Sequence, residues 1–132
     1  DVIIMLIGVN DAWENYVPED YPPLVRPMEP HIREVYRRIR TELPDTQILY
    51  VMPFMIDSVE SKLPFHKKLD EYREILKNVA LENGAKVIDM QQVFYDAQKK
   101  IPPKDLAIDG IHPTNLGHKV MADAIYEMIE IC

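Results

Sequence analysis

Five consecutive residues, Asp109-Gly110-Ile111-His112-Pro113, set a carboxylate three positions ahead of an imidazole, just before a stretch with strong helical periodicity. On a loop entering a helix, that spacing lets the Asp109 carboxylate hold one ring nitrogen of His112. The other nitrogen is then free to take a proton from a nucleophile, which is a general-base arrangement. The same residues also read as an ordinary turn (Asp109) and helix entry (His112 beside Pro113). A second group, Gly8-Val9-Asn10-Asp11, directly follows an apolar run. Gly8 permits a tight exit, and Asn10 offers a side-chain amide that can donate to a developing oxyanion; such a donor is worth about 100- to 1000-fold in rate. Gly, Asn and Asp are equally the residues of an Asx-turn, so this segment has a purely structural reading too.

Other reactive side chains are few. Ser58 and Ser61 are the only serines and Cys132 the only cysteine, so no intrachain disulfide forms. His118 with Asp109 and His112 gives three candidate ligands without a fourth or a conventional spacing, and neither a metal nor a cofactor is expected. Trp13 and Tyr16, just after the Asn10 turn, could line an acyl or sugar pocket, or simply pack a loop on the sheet edge. His31 and His66 sit near helix starts as surface residues. Met5, Met52, Met121 and Met128 fall at apolar positions and belong to the core.

The elements that must position these groups follow from periodicity. Val2 to Ile7 is an uninterrupted, β-branched run, as expected of a central parallel strand covered on both faces. Ile32, Val35, Tyr36, Ile39 and Leu43 predict a helix from about Pro30 to Leu43, and Ile48 to Met52 a second strand ended by Pro53. Phe65, Leu69, Tyr72, Leu76 and Val79 mark a helix closed by Asn83-Gly84. Lys86 to Asp89 is a short strand, Gln91 to Lys100 a short helix, and Ile101 to Asn115 a polar loop with prolines. Leu116, Val120, Met121, Ala124, Ile125, Met128 and Ile129 share one face of a final helix, capped by Thr114 or Asn115. Strands alternating with helices at these lengths predict right-handed βαβ units, hence an α/β fold with a parallel sheet between two helix layers. The Pro-rich stretch Pro18 to Pro30 is read as an active-site-side loop. Residues 1–132 are expected to form a single, partial domain.

Open parallel sheets bind ligands beyond the carboxyl ends of their strands, where the Asn10 and Asp109/His112 segments both belong. Other classes fit poorly. A formal charge of -7 with pI near 5.0 disfavours a nucleic-acid partner. No apolar run approaches the roughly 20 residues of a transmembrane helix. A flavodoxin-like binding module lacks its Gly-rich phosphate loop. The chain opens without Met directly on a strand-like run, so its start reads as a cut and leaves compartment open.

Gly8-x-Asn10-Asp11 after a strand, and Asp109-x-x-His112-Pro113 before a C-terminal helix, resemble in order and context two of the sequence blocks of the SGNH, or GDSL-type, hydrolases. The resemblance extends over nearly the whole chain, from Asp1-Val2-Ile3-Ile4-Met5-Leu6-Ile7 to Thr114-Asn115-Leu116-Gly117-His118. It implies a three-layer α/β/α fold and hydrolysis of esters, such as acylated sugars or short-chain and lipid esters, without metal or cofactor. It also implies roles: Asn10 as oxyanion-hole donor, His112 as general base then acid, and Asp109 as the group orienting His112. The family's nucleophilic serine and a glycine donor precede the Asn-bearing block and are expected upstream of Asp1. Asp57-Ser58-Val59 lacks the flanking glycine and follows the wrong strand. The alternative is a catalytically incomplete fragment whose uncovered strand Val2 to Ile7 pairs with a second copy or a partner chain.

Overall fold

The structure is a computed structural model of the 132-residue chain and describes residues 1–16 and 28–129. Cys132 and most of the Pro-rich loop expected between Pro18 and Pro30 lie outside the described residues. Three strands, β1 (Val2–Met5), β2 (Gln47–Val51) and β3 (Lys86–Ile88), form one parallel sheet in that order. β1 pairs with β2 from Val2 opposite Gln47 to Met5 opposite Tyr50, and β2 with β3 from Leu49 opposite Lys86 to Val51 opposite Ile88. Among the described residues, six α-helices accompany them: α1 (Val9–Tyr16), α2 (Met28–Glu42), α3 (Phe65–Glu82), α4 (Met90–Gln98), α5 (Pro103–Leu106) and α6 (Asn115–Met128).

Side-chain alternation along β2 divides the core. Ile48, Tyr50 and Met52 pack with Ile32 and Tyr36 of α2 and Leu76, Val79 and Ala80 of α3. Leu49 and Val51 point the other way, into a cluster with Met90 and Phe94 of α4, Leu106 of α5 and Met121 of α6. β2 is therefore the strand buried on both faces, and the fold is the expected three-layer α/β/α. Of the methionines expected in the core, Met52 and Met121 are buried, while Met5 and Met128 pack half-buried against it.

Three expectations change. β1 is not covered on both faces: Val2, Ile4, Leu6 and Ile7 are 39–48% exposed. Its apolar sequence encodes a covered environment, but among the described residues only β2 pairs with it, and the strand ends at Met5, not Ile7. Second, the segment after Gly8 is no loop. Gly8 takes φ +112°, a side chain there would run into Leu76, and its carbonyl accepts from the Ala12 N–H at 3.1 Å, so α1 starts at once. Third, the loop from Ile101 to Asn115 contains the single turn α5, begun by Pro103 in the first helical position. The remaining boundaries agree to within about two residues. Gly84 (φ +70°) ends α3, and the Thr114 hydroxyl caps α6 by accepting from the Gly117 N–H at 3.2 Å.

Candidate functional site

His112 and Asp109 meet in the loop between α5 and α6. The His112 Nδ1 lies 2.6 Å from Asp109 Oδ2. The other carboxylate oxygen, Oδ1, accepts from the backbone N–H of Ile111 at 3.1 Å and of His112 at 2.9 Å. The carboxylate is thus clamped by its own loop, and it in turn holds the ring. These bonds, led by that from His112, hold the Asp109 carboxyl well below the usual carboxylate range. With Nδ1 engaged, the rest of the imidazole, including Nε2, projects outward, the His112 side chain being 80% exposed.

The loop keeps its shape through contacts to the segment after β2. The Gly110 carbonyl accepts from the Ile56 N–H at 2.8 Å, and Gly110 takes φ +91°, where a side chain would press within 3.1 Å of the Ile56 carbonyl. Glycine is the residue that fits there. Beyond it, Ala107 bridges Pro113 antiparallel, and the Thr114 N–H donates to the Leu106 carbonyl at 2.8 Å. The segment after β2 is itself held by Gln91, 2% exposed, whose amide both accepts from the Met55 N–H at 2.9 Å and donates to the Met55 carbonyl at 2.8 Å.

Asn10 sits exposed in the first turn of α1, at the same end of the sheet. Its neighbour Val9 and the neighbours of His112, Ile111 and Pro113, line one small apolar pocket of about 110 Å³, together with Leu6, Ile7, Phe54 and Met121. This pocket lies where the carboxyl end of β1 faces the His112 loop. His118 also lines it, and among the described residues no three His, Cys, Asp or Glu side chains converge as metal ligands would. Trp13 and Tyr16 extend from α1 onto Phe65, at ring separations of 4.9 and 5.4 Å, so they pack on a helix and not within a loop.

Neither serine accompanies the dyad as a partner. Ser58 is buried beneath Gly110, its Oγ without a hydrogen-bond partner among the described residues. Ser61 is exposed in a single 3₁₀ turn, Glu60–Lys62. His31 is exposed, as expected, but His66 is half-buried and bonds Asp57 Oδ1 through Nε2 at 2.7 Å. Sequence reasoning passed over Gln91 and Lys62, whose Nζ donates to the Asp109 backbone carbonyl at 2.8 Å. Lone Gln and Lys residues carry no spacing signal, and both act on backbone groups distant in sequence.

Residues 1–120 match the GDSL-like lipase/acylhydrolase family. The acetylxylan esterase of Geobacillus stearothermophilus is 28% identical over 134 residues, covering 98% of this chain and 59% of its own length. A crystal structure of that enzyme, Axe2, superposes with a TM-score of 0.79, covering 98% of this chain and 60% of Axe2 at 27% identity. Alanine variants of Axe2 described as catalytic mutants replace a serine, an aspartate and a histidine, the last two separated by three positions. A putative GDSL-like lipase from Parabacteroides merdae ATCC 43184 gives a TM-score of 0.81 at 30% identity, covering 96% of this chain and 58% of that one. The chain thus spans about three-fifths of the length of these relatives. With its motifs, fold and a match over residues 1–120 in agreement, the chain belongs to the GDSL-like lipase/acylhydrolase family.

Proposed function

We propose that the polypeptide to which these residues belong hydrolyses carboxylic esters through a Ser-His-Asp triad, and that residues 1–132 are the larger part of its catalytic domain. The observation that carries this reading is the dyad: Asp109 fixes His112 through Nδ1 at 2.6 Å and leaves Nε2 outward at the carboxyl end of a parallel sheet. In the reaction, a serine hydroxyl attacks the ester carbonyl while His112 Nε2 takes its proton. Asp109 stabilises the imidazolium, and His112 returns the proton to the leaving alkoxide. Water then repeats the sequence on the acyl-enzyme. Asn10, in the first turn of a helix where backbone N–H groups lack intrahelical acceptors, donates to the oxyanion from a position that also favours negative charge.

The nucleophile is assigned to a segment upstream of Asp1, because Ser58 Oγ is buried without a partner among the described residues and Ser61 lies in an exposed 3₁₀ turn. The apolar edge of β1, which no described residue pairs with, and the pocket beside it are the surface such a segment would cover. The acetylxylan esterase relative favours an acetylated sugar as substrate over a long-chain lipid ester.

The test uses the full-length polypeptide, p-nitrophenyl acetate and acetylated xylooligosaccharide, together with a fluorophosphonate label mapped by mass spectrometry. Hydrolysis is expected to fall at least about 10³-fold in His112→Ala and about 100- to 1000-fold in Asn10→Ala, with the label on an upstream serine. Full activity in His112→Ala, or a label on Ser58 or Ser61, overturns the assignment.

A further inference from the structure

We infer that Lys62 is a positioning residue that sets the spacing between the His112 loop and the helix bearing Asn10; this rests on the ester-hydrolysis reading of the dyad. The Asp109 carboxylate is held by its own loop, but the main chain that carries it needs a fastening from outside. Lys62 supplies one. Its ammonium donates to the Asp109 backbone carbonyl at 2.8 Å across 47 positions of sequence. The same ammonium stands 5.7 Å from the centroid of the Trp13 ring, within the range of a cation–π contact. Trp13 is three positions after Asn10 on α1, so the two side chains share one side of that helix. One cation therefore touches both pieces of the site, the loop that carries the base and the helix that carries the oxyanion donor.

The base of this strut is ordered. Lys62 closes the 3₁₀ turn, donating its N–H to the Val59 carbonyl at 3.0 Å, while the Leu63 N–H donates to the Glu60 carbonyl at 3.1 Å. Phe65, three residues beyond the turn, meets Trp13 edge-on at 4.9 Å and fixes the ring face that the ammonium approaches. The Lys62 side chain is half-buried, and a charge-assisted bond from such a position adds modest stability. Its effect is on geometry, where an error of about 1 Å between reacting groups can cost about 100-fold in rate.

The experiment compares wild-type full-length polypeptide with Lys62→Met, which keeps the aliphatic stem and removes the donor, and Lys62→Arg, which keeps cation and donor. The first readout is steady-state hydrolysis of p-nitrophenyl acetate. The second is the downfield proton NMR line of the His112 Nδ1–H bonded to Asp109, assigned by its loss in His112→Asn. Lys62→Met is expected to lower kcat about tenfold or more with KM changed less than about twofold, and to broaden the proton line. Lys62→Arg is expected to restore most of both. Wild-type kcat with a sharp proton line in folded Lys62→Met overturns the proposal; if that variant does not fold, Lys62→Gln is read in the same way. Should the wild type hydrolyse no ester, the functional reading fails, while the proton line still decides Lys62: broadening supports its positioning role and an unchanged line refutes it.

Discussion

Replacing Gln91 by Leu tests whether the dyad loop is built on a single buried amide. Gln91 is 2% exposed and bonds the Met55 N–H and carbonyl at 2.9 and 2.8 Å, in the manner of a short β-ladder made by a side chain. Leucine matches the volume but leaves both Met55 groups buried and unpaired, at about 1–3 kcal/mol each. The combined loss is about 2–6 kcal/mol, a large part of the 5–15 kcal/mol that holds a typical domain together. The damage should also spread. Ile56, next in sequence, donates to the Gly110 carbonyl at 2.8 Å, so a shifted Met55 loosens the turn that carries Asp109 and His112. Urea unfolding of the full-length polypeptide should show a lower midpoint at unchanged slope, and kcat should fall about tenfold in the fraction that remains folded. A stability loss below about 0.5 kcal/mol, with kcat intact, would refute the idea that this amide supports the site.

Two further outcomes follow from the same contacts. The Asp109 carboxyl is held below its ordinary range, chiefly by its bond to His112, so its folded pKa lies under its unfolded one. The stabilisation from this ionised carboxylate is complete above the ordinary value near 4 and is lost only as pH falls through the depressed folded value. The side chain is 44% exposed, and solvent screening keeps the stability contribution small. Carbon NMR of the carboxyl carbons should therefore show Asp109 still ionised at about pH 3, where exposed aspartates have taken up a proton; a midpoint near 4 would contradict the clamp. Ser58→Ala removes a buried hydroxyl that has no partner among the described residues, so stability should stay level or rise slightly and esterase activity should be unchanged. Loss of turnover in that variant would make Ser58 a participant.

The layers and the site loop were legible because they depend on local signals. Ile48 to Met52 and the four-three spacing from Phe65 to Val79 report burial by type and period, and both elements stand where expected. Asp109 and His112 were legible for a related reason: their bond closes within one turn, over three positions, so the spacing contains the geometry. Gln91 and Lys62 were not, because each acts on a main-chain group 36 or 47 positions away. Nothing in a single Gln or Lys announces which carbonyl it will meet.

The segment after β1 shows a different limit. Gly8-Val9-Asn10-Asp11 has the composition of a turn, and the propensities of Gly, Asn and Asp all argue against a helix interior. What the residue types omit is the role of Gly8, whose φ of +112° turns the chain three residues after β1 ends at Met5 and lets α1 begin at Val9. Asn and Asp then occupy the first turn, the part of a helix that suits them. Packing completes the override. Ala12 is fully buried, and Trp13 and Tyr16 lie against Phe65 of α3, so the apolar side of this short helix is anchored while Asn10 stays exposed. A turn would leave the Asn10 amide free to wander. A helix fastened to α3 by two aromatic rings holds it in one place, as the oxyanion-donor role proposed for Asn10 requires.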